Sequence, residues 1–204
     1  MNKKFLHVGS GRQNKFNTTN EFKNEYWDEV RLDIDPDVKP DVISSITDMS
    51  SIDSNQFDAV FSSHNIEHLF PHEVPIALKE MHRVLNDTGY LIITCPDIQP
   101  VCKEVAKGNL VNPLYQSTMG PISAIDIMYG LRTDIAKGNH YMAHKCAFTG
   151  PVMRSTLLGS GFKSCEVISR ESAYVLWAIA FKDDIFDQDK CIDILKMHLE
   201  INLA

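Results

Sequence analysis

The sequence has no C-x-x-C pair, and its five cysteines (Cys95, Cys102, Cys146, Cys165 and Cys191) are odd in number and widely spaced. That pattern excludes a disulfide framework and reads as thiols in a reducing compartment. No apolar run approaches the ~18 residues that span a bilayer. The stretch ahead of the first glycines, "KFLHV", is too short for a signal-peptide core. Basic runs are missing too. With a formal charge of −7, a broad nucleic-acid face is disfavoured, because neutralising phosphates takes clustered Lys and Arg. There is no internal repeat and no low-complexity tract. These absences point to a soluble cytoplasmic protein bound to neither membrane nor nucleic acid.

What remains is ordinary globular material. At 204 residues, the chain suits one domain (1–204) with a full core, and 44% apolar against 23% charged residues argues against disorder. "KFLHV" (4–8) reads as a buried strand ending at "GSG" (9–11). Further strands are expected at "EVRLDIDP" (29–36), "DVISSI" (41–46), "FDAVFSS" (57–63) and "YLIITCP" (90–96). Between the last two, Val74, Ala77, Leu78, Met81, Val84 and Leu85 recur at helical spacing, with Pro75 in the first turn. Residues 98–143 loosen into short helical stretches and read as an inserted segment. A helix from about Pro151 follows, with Gly159 and Gly161 beyond its end. Two strands at 163–170 and 174–182, separated only by "ESA", read as an antiparallel pair, and an amphipathic helix closes the chain. The alternation predicts an α/β doubly wound, mostly parallel Rossmann-like sheet.

In such a sheet the ligand lies beyond the carboxyl ends of the strands. Those ends carry "GSG", Asp33, Asp48, "SSHNIEH" (62–68) and "CPD" (95–97). Glycines let a ligand approach backbone, and a carboxylate one strand over can grip a ribose diol. A dinucleotide loop would want a third glycine where Asn14 stands, and a phosphate loop would want G-K-[ST]; neither is present.

The segments "LHVGSG" (6–11), "LDIDPD" (32–37), "TD" (47–48), "FDAVFSSHNIEHL" (57–69) and "LKEMHRVLNDTGYLIITCPD" (78–97) resemble class I S-adenosylmethionine-dependent methyltransferases. The resemblance covers about residues 4–97 well and 144–182 loosely. It implies S-adenosylmethionine as cofactor. Gly9 and Gly11 would face its methionine and ribose parts, Asp33 the ribose hydroxyls, Asp48 the adenine amino group, and Met49 the adenine face. Ile34 joins this set, and Ser62, Ser63 and His64 would lie under the methionine moiety. The family's substrate-recognising region falls on residues 98–143. Two positions depart from its pattern: His7 stands where an acid is common, and Gln13 where a third glycine is. The link between the first two strands is poor in aliphatic residues, so Phe16, Phe22, Tyr26 and Trp27 form either an aromatic flap or, more simply, packing.

Methyl transfer from a sulfonium needs alignment and exclusion of water, with a base wherever the acceptor must lose a proton. His64, His140, His144 and Asp97 are the candidates, with the three histidines as the catalytic set. Tyr115, Tyr129 and Tyr141 are candidates for an acceptor pocket. The acidic balance and the absence of an Asn-Pro-Pro signature favour a small-molecule acceptor, such as a hydroxylated metabolite or sugar. Two alternatives stand beside this reading. One is a cofactor-binding protein without catalysis. The other is a zinc hydrolase, because "HNIEH" fits H-x-x-E-H and offers His64, Glu67 and His68. The leading expectation includes no metal.

Overall fold

The computed structural model describes residues 2–183 and 188–199. Strand β1 (Lys3–Val8) runs into the glycines and lies parallel to β2 (Trp27–Asp33). β3 (Val42–Ile43) flanks β2, while β4 (Phe57–Ser63) pairs with β1 on its other side. After helix α2 (Val74–Val84) comes β5 (Leu85–Pro96), parallel to β4. Near the end of the described chain, helix α6 (Gly150–Gly159) leads to β8 (Ser164–Arg170) and β9 (Val175–Phe181). The seven-stranded order is β3-β2-β1-β4-β5-β9-β8, with the last two strands antiparallel as expected. Strand order reverses between β1 and β4, so a crevice opens at their carboxyl ends.

Side-chain alternation divides the core between the two faces of this sheet. Leu6, Val8, Val60, Leu91 and Ile93 face α2 and α6, where Ala77, Leu78, Met81, Met153 and Leu157 meet them. Phe5, Ala59, Phe61, Ile92 and Ile179 face the other way. The link from β1 to β2 supplies that second face with only a one-turn helix, α1 (Asn20–Lys23), capped by Thr19. Phe22 and Trp27 are buried there, with Phe22 stacked on Phe5 at 4.2 Å, so they pack the core rather than form a flap. Phe16 and Tyr26 are exposed. The remaining space is covered by the closing helix α7 (Gln188–Leu199), through Cys191, Leu195 and Leu199. A distant helix thus fills the place a longer first helix would take.

Several boundaries differ from the sequence pattern, beginning with β2, which starts at Trp27 and stops at Asp33. β3 is only two residues long, because the serines after it turn the chain: Ser44 Oγ donates to the Asp48 carbonyl, and Asp48 N–H to Ser45 O. Leu85 starts β5 instead of closing α2, across a register shift opposite Phe57 and Ala59. α6 runs through Gly159, and only Gly161, with φ of +113°, lies beyond it.

Between β5 and α6 the chain builds a satellite layer. Helix α3 (Ile98–Ala106) is capped by Asp97. A hairpin of β6 (Pro113–Ser117) and β7 (Gly120–Ser123) follows, which the helical reading of this stretch did not foresee. Helices α4 (Ala124–Tyr129) and α5 (Arg132–Ile135) complete it over a small core of Val101, Ala124 and Ile127. Although removal from water works against its charge, Asp126 is held well below the usual carboxylate range by Arg132 and Ser123. All five cysteines lie within the described residues, and no disulfide is formed. Among the described residues, no helix is long and apolar enough to cross a membrane.

His198 on α7 is buried between Thr19 Oγ1 (2.8 Å) and Tyr90 Oη (3.2 Å), and burial pushes its pKa down to about 3. An unfolded histidine takes up its proton near pH 6.5, and the folded one does not until about 3. Its contribution is therefore complete above pH 6.5 and falls by ~1.4 kcal/mol per unit as pH drops through that window. Urea denaturation at pH 7.5 and pH 5 should show a loss that shrinks by about 2 kcal/mol in His198→Gln. An unchanged loss in the variant would contradict this coupling.

Candidate functional site

The crevice begins where β1 ends. Gly9 and Gly11 have φ of +63° and +55°, a region costly for residues with a Cβ, and this bends the loop back over β2. Gly9 N–H and Ser10 N–H both donate to Leu32 O. The Gly11 N–H donates to Asp33 Oδ2 at 2.7 Å, and the Asp35 N–H to Asp33 Oδ1 at 3.0 Å. The Asp33 carboxylate is thereby held at the mouth of the crevice, with lone pairs to spare. Arg31 ties the loop to the next turn, donating to Gly11 O and Val38 O.

The two glycines do different work. Nothing stands within 4 Å of a Cβ built on Gly11, so its backbone faces open space. At Gly9 such an atom would meet Asn65 Cγ at 2.4 Å, so the missing side chain admits Asn65. Asn65 lines the crevice, and its Nδ2 is buried with no hydrogen-bond partner. A buried donor left unsatisfied at a cavity is a ligand-binding signal. No sequence pattern singled out Asn65; its position beside an obligatory glycine is visible only in the fold.

The cavity holds about 390 Å³ and takes Gly9, Gly11, Asp33, Ile34 and His64 from the expected set. Val38, Ser45, Ile46 and Thr47 close one end, while Tyr141, Met142 and Lys145 reach in from the far side. The other expected residues are placed elsewhere. Asp48 is exposed and lies with Lys79 and Arg83 along a separate groove; Met49 is fully buried in the core. The short β3 explains this: the Ser44 turn brings Ser45 to Thr47 into the crevice and carries the next two residues past it. Ser62 is fully buried, and Ser63 Oγ is engaged by Thr94. His140 is exposed and outside the lining. Asp97 is buried, accepting from the Gln99 N–H and Ser169 Oγ. Of the three tyrosines, only Tyr141 lines the cavity.

"HNIEH" does not form the helix that H-x-x-E-H needs, since only a 3-10 turn spans Ile66–His68. His64 sits on the strand end with φ of +47°, and its Nδ1 lies 3.3 Å from Glu67 Oε1. Loss of solvent works against the imidazolium, but Glu67 outweighs it and raises the His64 pKa. Glu67 is buried, which opposes its charge, yet His64 and His68 keep it below the usual glutamate value. Burial lowers the His144 pKa. His7 is buried with Nδ1 2.8 Å from Glu29 Oε1, so the departure from the family's acid is matched by an acid one strand over.

Residues 6–93 match the family model of a methyltransferase domain. That match, together with the fold, supports a class I S-adenosylmethionine-dependent methyltransferase over the first part of the chain. The matched methyltransferase domain supports the enzyme class and S-adenosylmethionine as cofactor. Among solved structures, a protein from Pyrococcus horikoshii shares the fold at a TM-score of 0.60 and 14% identity, over 90% of this chain and 83% of that one. A SAM-dependent methyltransferase from Archaeoglobus fulgidus is similar at 0.52 and 17%, over 88% and 86%. The 1,6-didemethyltoxoflavin-N1-methyltransferase of Burkholderia thailandensis, solved with 1,6-didemethyltoxoflavin and S-adenosylhomocysteine, is similar at 0.53 and 14%, over 89% and 72%. No curated protein matches the sequence. For this methyltransferase, Gly9→Ala should cost more stability than Gly11→Ala. Both meet a left-handed penalty of ~1–2 kcal/mol, but only the first displaces Asn65. Equal denaturation midpoints for the two variants would contradict the assignment.

Proposed function

We propose that the crevice between β1 and β4 binds S-adenosylmethionine and presents its methyl group to a small-molecule acceptor, a hydroxylated metabolite or sugar, under a cover formed by residues 98–143 of a single domain. The observation that carries this is the Asp33 carboxylate, oriented by the Gly11 and Asp35 N–H groups beside bare backbone. That carboxylate suits a ribose diol, and the buried Asn65 amide offers a donor to the same ligand. Ile34 and Val38 supply apolar surface for an adenine, with Ser45 and Thr47 at its edge in place of Asp48 and Met49. Unbridged cysteines and an acidic balance agree with a cytoplasmic setting and an acceptor other than nucleic acid.

When bound, S-adenosylmethionine supplies a methyl group on a sulfonium, a leaving group already in place. The chain's part is to hold donor and acceptor in line, keep water out, and take any proton the acceptor loses. Of the three histidines expected to act, His64 is the one that lines the crevice, and Glu67 behind it orients the ring. His144 is tied to the Ile127 carbonyl, and His140 points to solvent.

Calorimetric titration with S-adenosylhomocysteine tests the assignment. Asp33→Ala should lose hydrogen bonds to a charged group worth ~1.5–3 kcal/mol, a weakening of about ten-fold or more. Asp48→Ala, on the outer groove, should bind as the parent does. The reverse pattern would overturn the placement. Labelled methyl transfer to hydroxylated metabolites and sugars then tests the acceptor, and tight binding with no acceptor labelled would favour a non-catalytic binding protein.

A further inference from the structure

Beside the crevice, where the satellite layer rejoins the sheet, three side chains converge, of which the methyl-transfer reading uses only Glu67, as a support for His64. Glu67, His68 and His144 each place a potential ligand atom within 4.8 Å of the other two. Glu67 is 1% exposed, and neither carboxylate oxygen has a hydrogen-bond partner. A buried carboxylate in that condition is costly unless a cation satisfies it. His64 approaches one oxygen at 3.3 Å, but its ring is half-exposed and it lies outside the cluster.

The two clustered imidazoles are oriented from behind. His68 Nδ1 lies 3.2 Å from Ala143 O, and His144 Nδ1 2.7 Å from Ile127 O. A backbone carbonyl can only accept, so each ring donates through Nδ1, and in the neutral ring that tautomer presents Nε2 as the free lone pair. This is how metal-ligating histidines are held. The backbone around them is braced as well: the Lys145 and Cys146 N–H groups both donate to Glu67 O.

We propose that Glu67, His68 and His144 form a binding site for a divalent transition-metal cation of the zinc type. Two imidazoles and one carboxylate suit zinc or cobalt, whereas magnesium and calcium want more oxygen donors. This set differs from an inverted zinc-protease motif, because Glu67 is a ligand rather than a base and His144 replaces His64. With three protein ligands a fourth position stays open, and His68 lines the crevice. The ion would therefore clamp the returning segment to the turn after β4 and offer that position to an acceptor oxygen. The last role rests on the methyl-transfer reading; metal binding itself does not.

The test uses the full chain, stripped with chelator and titrated calorimetrically with zinc chloride or cobalt chloride alone. One equivalent should bind, and the cobalt form should absorb in the visible as a histidine-ligated ion does. His144→Ala and Glu67→Gln should each weaken binding by about ten-fold or more. His140→Ala, outside both the cluster and the crevice, should leave it within about two-fold. Circular dichroism and S-adenosylhomocysteine titration of the same proteins report whether fold and cofactor pocket survive. Should Glu67→Gln fail to fold, His144→Ala decides the matter. A parent protein that takes up no stoichiometric zinc or cobalt, or ligand variants that bind as tightly as the parent, would overturn the site. Metal binding without S-adenosylhomocysteine binding would instead remove the methyl-transfer reading and leave the metal site standing.

Discussion

The reversal of strand order between β1 and β4 opens the crevice, and the hydrogen bond from Gly11 N–H to the Asp33 carboxylate ties the ends of β1 and β2 together at its rim. β1 and β4 stay paired to their carboxyl ends. The chain leaves β1 toward one face of the sheet and β4 toward the other, which leaves a crevice between the two connections. The glycine loop bends into that gap because its left-handed residues cost little there. Asp33 accepts from the loop and from Asp35 at once, so one side chain joins the first two strand ends into a single rim. Each other feature of the crevice is arranged around that rim, including the Arg31 bonds to Gly11 O and Val38 O.

Around this frame the chain makes two economies. It spends few residues between β1 and β2, and the aromatic cluster of Phe5, Phe22 and Trp27 is then sealed by a helix from the far end of the sequence. It also spends few residues on β3, and the serine turn after it redirects which side chains reach the cavity. Both follow from the same local fact: polar turn-forming residues occupy places where a longer element would need apolar ones. The satellite layer between β5 and α6 has its own small core and returns across Glu67, so the turn after β4 is shared by the crevice and that layer.

The elements with the strongest periodicity were the most legible. The α2 stripe of Val74, Ala77, Leu78, Met81 and Val84 is buried as its spacing implies, and β4 spans the residues its pattern marked. Positions read from the order of strand ends, such as Asp33 and the glycines, meet in one cavity. Asp48 and Met49 were read from the same logic and do not, because a two-residue strand shifts everything after it relative to the crevice. The β6–β7 hairpin escaped a periodicity argument because its strands are short and partly exposed.

By itself the sequence determined the fold class and the chemistry available at each strand end, since hydrophobic period and residue type are local properties. Tertiary structure alone decided which of those groups share a space. It put Asn65 against Gly9, moved Asp97 from base to helix cap, and brought His144 to Glu67 and His68. The reason is geometric: contacts between distant residues depend on accumulated strand lengths and turn angles, and a shift of one or two residues in either redirects a side chain entirely.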